Sequence, residues 1–293
     1  MSVFRSLLFA PGNHPRKVEK SLGLSADVVI LDLEDAVAIS EKEATRAVVV
    51  DALQAPRRAK GYIRVNAIDT PYCYGDVLAA VAPGVDGIVL PKVEQADDLR
   101  TIDWLVTQLE RERDLPAGAI DILPIIETGR AIQNIAQIVG AGTRVKRVSF
   151  GAGDYTLDMG LTWTAEEREL AYARGAIAHA CRDARIEAPI DTVHINLGRM
   201  EELRNATELA KSMGFQGKLC IHPEQVGPVN EIFSPTEEEV VLAKRYMAAF
   251  EEAEASGSAS IQVDGYFIDY PIVEKARRTL ERAEAIAAAL GRS

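Results

Sequence analysis

Pro124-Ile-Ile-Glu127-Thr-Gly129 and Ser149-Phe-Gly-Ala-Gly-Asp154-Tyr155 decide how this chain is read. Each is a short apolar run that ends in a carboxylate and passes into loop residues, and a helix-patterned stretch separates the two. Strands ending in acids on one side of a sheet are how a barrel of alternating strands and helices aims two carboxylates at one hard cation. Working outward, uninterrupted apolar runs of strand length recur at Ser6–Pro11, Val28–Leu33, Tyr62–Asn66, Gly87–Pro91, Ile120–Ile126, Arg147–Gly151, Ile190–Ile195 and Lys218–His222. Continuous rather than alternating runs are what strands need when helices cover both faces of a parallel sheet. Helices are expected over Pro15–Leu22, Glu41–Leu53, Gln95–Arg113, Gly129–Val139, Thr164–Arg185 and Met200–Met213. Eight such units with right-handed crossovers point to an α/β fold, a closed (β/α)8 TIM barrel. No Gly-x-Gly-x-x-Gly fingerprint follows the first strand, which counts against a dinucleotide fold.

A chain of 293 residues accommodates one such barrel, with about 250 residues being typical. The net charge of −11 argues against nucleic acid and anionic membranes as partners, while leaving room for basic loops that bind a small polyanion. No apolar run approaches the roughly 20 residues of a membrane span, and Met1-Ser-Val-Phe-Arg5 lacks the pattern of a signal peptide. Cys73, Cys181 and Cys220 form neither a disulfide framework nor a CxxC site, so buried or idle thiols in a reducing cytoplasm are expected.

After Pro235 the pattern changes, and the chain divides on this basis into a catalytic barrel, 1–235, and a C-terminal extension, 236–293. Thr236-Glu-Glu-Glu239 opens a helix that runs to about Ala255, its acids favourable against the helix dipole. Ile261 to Pro271 reads as a hairpin turning at Asp264-Gly265, and a last amphipathic helix follows from Ile272 to Leu290. The extension is either a helical brace or a lid and oligomer arm.

The catalytic end of a βα barrel is where its strands end. The charged residues there are Asp32, Glu34 and Asp35 after strand 2, Arg64 in strand 3, Lys92 after strand 4, Glu127 after strand 5 and Asp154 after strand 6. Five carboxylates converging on one mouth need a cation. Oxygen ligands without a His or Cys cluster suit Mg²⁺ or Mn²⁺, and Mg²⁺ needs only one or two of them, so Glu127 and Asp154 suffice. Arg64, placed between Ile63 and Val65, requires an anionic partner: either one of the strand 2 acids in an ion pair, or a substrate carboxylate or developing oxyanion.

Arg5-Ser-Leu-Leu-Phe-Ala-Pro-Gly12, Asp32-Leu-Glu-Asp-Ala-Val37, Ile63-Arg-Val-Asn66, Leu90-Pro-Lys92, Ile126-Glu-Thr128, Gly151-Ala-Gly-Asp-Tyr155, Ile221-His-Pro223 and Ile268-Asp-Tyr-Pro271 together resemble the motif series of the HpcH/HpaI aldolase and citrate lyase superfamily. The branch most similar is that of citrate lyase β-subunit-like acyl-CoA lyases, which includes the malyl-CoA and citramalyl-CoA lyases. The resemblance implies a Mg²⁺-dependent carbon–carbon lyase that cleaves a 3-hydroxy-3-carboxyacyl-CoA of citramalyl, malyl or citryl type to an acyl-CoA and a 2-oxoacid. It places metal ligands at Glu127 and Asp154, and 2-oxoacid contacts at Arg64, Glu127, Gly153 and Asp154. Glu34 and Asp35 fall where acids hydrogen-bond metal-bound water. Asp269 falls where an acid/base residue closes over a neighbouring subunit's site in a trimer or hexamer. Arg16 and Lys17, in the loop after strand 1, are candidates for the CoA phosphates, with His14 beside them a solvated loop residue. Three rival expectations remain. One is a β subunit of a citrate lyase complex acting on an acyl-carrier-protein thioester; another is a 2-keto-3-deoxy acid aldolase, against which the long tail and Ile268-Asp-Tyr-Pro271 argue. The third is a metal and dicarboxylate binder without catalysis, against which the carboxylate pair, Arg64 and Asp269 argue.

Overall fold

In a computed structural model that describes residues 3–291, the chain divides into two compact units, Phe4–Glu231 and the residues from Ile232 onward. The first unit is a closed barrel of eight parallel strands in sequential order: β1 (Ser6–Pro11), β2 (Val28–Asp32), β3 (Lys60–Arg64), β4 (Gly87–Leu90), β5 (Asp121–Ile126), β6 (Ser149–Phe150), β7 (Ile190–Asp191) and β8 (Gly217–Cys220). β8 returns to β1 and pairs Leu219 with Leu7. All eight expected strands form, and β6 and β7 are much shorter than their apolar runs.

The helices of this unit are α1 (Pro15–Leu22), α2 (Lys42–Ala52), α3 (Cys73–Ala80), α4 (Ala96–Glu112), α5 (Gly129–Gln133), α6 (Ile135–Val139), α7 (Ala152–Met159), α8 (Ala171–Asp183), α9 (Met200–Ser212) and α10 (Pro223–Phe233), which runs past its boundary. The single helix expected over 129–139 is two, broken at Asn134. The helix expected from Thr164 begins only at Ala171, after a 3-10 turn at Arg168–Leu170. α3, α7 and α10 are additions to the expected set; Gly75, Gly153 and Pro228, one in each, weaken the sequence signal.

The barrel interior follows the two-residue pleat. Leu7, Val28, Ile30, Tyr62, Val89, Leu123, Ile125, Ile190 and Leu219 form one buried cluster, sealed at the N-terminal end of the strands by Phe4. Arg147 lies in this floor with its guanidinium over the Phe4 ring at 3.8 Å, paired with Asp121 and with Glu187 at 2.7 Å. The Tyr62 hydroxyl donates to Asp121 at 2.7 Å. A second buried set, on the helix-facing side of the wall, joins Asp191 to Lys218 at 2.6 Å and to Arg174 at 2.8 Å. All three cysteines are buried and free, and burial pushes each thiol up to about 12. No described helix is long and apolar enough to cross a membrane.

In the second unit, α11 (Glu237–Ala255) starts with a capping box: the Thr236 hydroxyl accepts from the Glu239 amide, and the Glu239 carboxylate accepts from the Thr236 amide. A hairpin of β9 (Ile261–Val263) and β10 (Tyr266–Ile268) turns at Asp264 and Gly265, both at positive φ. α12 (Tyr270–Leu290) begins two residues earlier than expected, because Asp269 caps it and Pro271 suits its first turn.

Candidate active site

One pleat step beyond the interior cluster lies the mouth. Asp32 follows Ile30, Arg64 follows Tyr62, Glu127 follows Ile125, Gly151 follows Ser149 and Thr192 follows Ile190, so each faces the barrel axis at its C-terminal end. These residues line a cavity of about 420 Å³ together with Asp35, Gly153, Asp154 and the apolar side chains of Phe9, Val193 and Ile221. That volume suits a small organic acid and part of a larger ligand.

Asp154 was expected just after strand 6, ending its apolar run. It lies in the first turn of α7, which starts at Ala152, and there the helix dipole favours its charge. The Thr192 hydroxyl accepts the Ala152 amide at 2.8 Å and ties that turn to β7. Gly153 sits beside Asp154 in the cavity wall.

Glu127 is the buried member of the acid pair. Burial first, and then the charges of Asp154 and Glu34, push its carboxyl up to about 8 against the pull of the Lys92 amide and Arg64. Its Oε1 accepts the Lys92 amide at 2.7 Å. Its Oε2 lies against Gly151, where a Cβ would meet Glu127 Cβ at 2.8 Å and Oε2 closer still. Among the described residues, neither Glu127 nor Asp154 has a cationic side chain within ion-pair distance, although every other acid of the mouth has one.

Arg64 takes Asp32 in a two-point pair, Nε to Oδ1 at 2.7 Å and Nη2 to Oδ2 at 2.6 Å, and reaches Glu34 at 3.0 Å and Asp35 at 3.6 Å. Burial works against its charge, but Asp32 and Glu34 outweigh it and raise its pKa. Burial likewise pushes Asp32 up, but Arg64 and the amides of Glu34 and Ala36 overcome it and hold the carboxyl below its usual range. The ion pair with a strand 2 acid is therefore formed, and with five N–H donors the guanidinium still has some left for a ligand in the cavity.

Four of the five expected carboxylates line the cavity. The fifth, Glu34, lies outside the lining and is shared between Arg64 and the Lys92 ammonium at 3.2 Å. No three His, Cys, Asp or Glu side chains among the described residues form a self-sufficient ion cage. A cation with several water and substrate ligands needs none, and two carboxylates lacking a positive partner, one of them destabilised by burial and by the other, fit Mg²⁺. Arg16 and Lys17 are exposed in the first turn of α1 and are not in the cavity lining. Asp269 belongs to the second unit, where its carboxylate accepts the Ile272 amide at 3.3 Å.

Sequence patterns did not reveal the scaffold behind these groups. The buried Lys42 ammonium donates to the Leu33 and Glu34 carbonyls and to Asn66 Oδ1, at 2.9, 2.6 and 2.7 Å. Asn66 also donates to Asp76, which Arg46 holds at 2.7 Å. This chain of contacts fixes the turn after β2. Only Asn66 carried a signal, as the last residue of Ile63-Arg-Val-Asn66.

The family model for HpcH/HpaI aldolase/citrate lyase matches residues 5–223. The citrate lyase subunit beta of Leuconostoc mesenteroides subsp. cremoris is 38% identical over 283 residues, covering 96% of this chain and 93% of that one. A (3S)-malyl-CoA thioesterase of Cereibacter sphaeroides is 36% identical over 287 residues, covering 97% and 96%. Among solved structures, CitE of Mycobacterium tuberculosis in complex with magnesium, acetoacetate and coenzyme A superposes with a TM-score of 0.76 at 26% identity, covering 95% of this chain and 97% of that one. The match to the barrel, and relatives that align through the tail as well, agree with the acid-lined mouth: this chain belongs to the HpcH/HpaI aldolase/citrate lyase family and is an enzyme of the lyase class.

Proposed function

We propose that this chain catalyses the reversible, Mg²⁺-dependent cleavage of a 3-hydroxy-3-carboxyacyl-CoA to an acyl-CoA and a 2-oxoacid. The observation that carries the proposal is the placement of Glu127 and Asp154, two carboxylates with no ion pair among the described residues, beside Arg64 in one cavity. A structural neighbour whose complex contains magnesium, acetoacetate and coenzyme A supports the same reading.

Glu127 and Asp154 would hold Mg²⁺, with Mn²⁺ an alternative, and the ion supplies Lewis acidity and a template for the oxygens of the substrate. Arg64 donates to the substrate oxygen that gains carbonyl character, and Asp32 keeps the guanidinium charged and aimed. Glu34 and Asp35 accept hydrogen bonds at the rim of the site. The substrate hydroxyl loses its proton to a base, the carbon–carbon bond breaks, and its electron pair passes into the thioester enolate. Asp269 protonates the enolate carbon, or removes a proton there in the condensation direction. Gly153 contacts the 2-oxoacid, and Arg16 and Lys17 meet the CoA phosphates. In this proposal residues 1–235 form the catalytic barrel and 236–293 a lid. The lid's Asp269 serves a neighbouring copy in a cytoplasmic homotrimer or hexamer.

A second reading, a β subunit that acts on a carrier-protein thioester, is favoured by the name of the Leuconostoc relative. The test is chromatographic product analysis of purified protein with (R)- and (S)-malyl-CoA, citramalyl-CoA and citryl-CoA, with Mg²⁺ and with EDTA. Cleavage of one thioester, lost in EDTA, is expected. Folded, Mg²⁺-binding protein that cleaves none of them would favour the subunit reading.

A further inference from the structure

The non-glycine residue with positive φ nearest the site chemistry is Lys92, at +53° in the loop after β4. A side chain in the left-handed region costs roughly 1–2 kcal/mol of backbone strain, and such strain persists where surrounding structure requires it. Here the consequence is specific. The Lys92 amide opens this left-handed turn and donates to Glu127 Oε1 at 2.7 Å, so the loop after β4 holds the acid at the end of β5, and a change in φ here would shift the amide against the chain that follows it. Gly151 closes the other side, because any Cβ there would displace Oε2. The Lys92 ammonium does something separate: it is two-fifths exposed and pairs with Glu34 at 3.2 Å, without an ion pair to Glu127.

We infer that Lys92 is a positioning residue for cation binding, and that it acts through its strained backbone amide rather than its charge. The amide takes one oxygen of Glu127 and leaves Oε2 as the oxygen without a donor among the described residues. The carboxylate is thereby presented in one orientation before any ligand arrives. The ammonium pairs with Glu34, acts on Asp35 and Asp154 only at longer range, and makes no ion pair with Glu127. The inference rests on Glu127 being a ligand of Mg²⁺, and it goes beyond that assignment by naming what aims the ligand.

Three variants separate the two roles. Lys92→Gly keeps the left-handed backbone and its N–H while removing the charge. Lys92→Val removes the charge and also disfavours the left-handed backbone, since a β-branched residue is a conformational outlier there. Lys92→Arg keeps both features. Mg²⁺ affinity of each folded protein is measured calorimetrically without substrate, and thermal melts in EDTA report the fold. Lys92→Arg and Lys92→Gly are expected to bind Mg²⁺ as tightly as the parent, with Lys92→Gly melting no lower. Folded Lys92→Val is expected to lose about 10-fold or more in affinity, the usual effect of removing a group that orients a ligand. Wild-type affinity in folded Lys92→Val overturns the inference. So does equal loss in Lys92→Gly and Lys92→Val, which would transfer the effect to the ammonium. A parent protein that binds no Mg²⁺ removes the ligand assignment itself and the inference with it, whereas intact binding with the wrong variant pattern removes only the inference.

Discussion

The two ends of the barrel handle buried charge in opposite ways. At the floor, Arg147 is matched by Asp121 and Glu187, Asp121 is further satisfied by the Tyr62 hydroxyl, and the Phe4 ring covers the guanidinium. At the mouth, Arg64 and Lys92 are absorbed by Asp32, Glu34 and Asp35, which leaves Glu127 and Asp154 facing each other's charge. Both ends are built on the same strands with the same pleat. The floor uses ionic groups to complete a core, where pairing offsets the desolvation cost of each charge. The mouth leaves acids in surplus, a cost in the folded chain that a proton on Glu127 or a bound cation relieves.

Four experiments break or sharpen this contrast. The largest effect is expected from Glu127→Gln, which removes the ionisable acid while keeping the shape. Mg²⁺-dependent turnover should fall about 10³-fold or more, while the melting temperature in EDTA stays level or rises. A drop in stability without metal would mean that the acid is structural, like those of the floor. Arg147→Met does the reverse, stranding Asp121 in the floor. Urea unfolding should show a loss of about 3 kcal/mol, and a loss below about 1 kcal/mol would show that the floor does not depend on its ion pairs.

Two glycines give a finer comparison. A Cβ at Gly151 would push Glu127, whereas one at Gly217 would run into the Phe4 carbonyl. Gly151→Ala should lower turnover on the order of 100-fold by misplacing the proposed metal ligand Glu127, with about 1 kcal/mol lost in stability. Gly217→Ala should cost about 3 kcal/mol of stability, with turnover retained in whatever protein folds. Equal effects on both properties from both substitutions would erase the distinction.

The smallest effect is one of pH. Glu127 in the fold titrates near 8, above its ordinary value of about 4.5, so between those values the folded chain holds a proton that the unfolded chain has lost. In EDTA, its contribution to stability is complete at pH 4 and is lost as pH rises through 8. Denaturant midpoints measured across this range should show that fall, and Glu127→Gln should flatten it. A wild-type profile as flat as that of the variant would remove the argument that the mouth is charge-strained.

The eight strands were legible because parallel strands covered on both faces must be apolar throughout, and runs such as Val28–Asp32 and Asp121–Ile126 meet that condition almost unaided. Glu127, Asp154 and Arg64 were legible for a related reason: charges at or just past the ends of such runs gather at the barrel mouth, although Asp191 at the end of β7 faces the helices instead. The helix at Ala152–Met159 was hidden by its Gly-Ala-Gly opening, which reads as loop until packing of β6 against β7 and the Thr192 hydroxyl anchor its first turn. Lys42 looked like an ordinary surface lysine in a charged helix. Only the fold shows it buried under the turn after β2 with three acceptors.

The sequence alone therefore determined the barrel, its order and the residues at its C-terminal mouth, because periodicity and strand-end chemistry are local properties of a chain. Which acid is paired and which is left over was decided by tertiary structure alone. Asp32 and Glu127 look alike in sequence, each a carboxylate closing an apolar strand. One faces a guanidinium from β3 and stays ionised, and the other faces a second acid and a single backbone amide, because charge balance depends on neighbours across the barrel rather than along the chain.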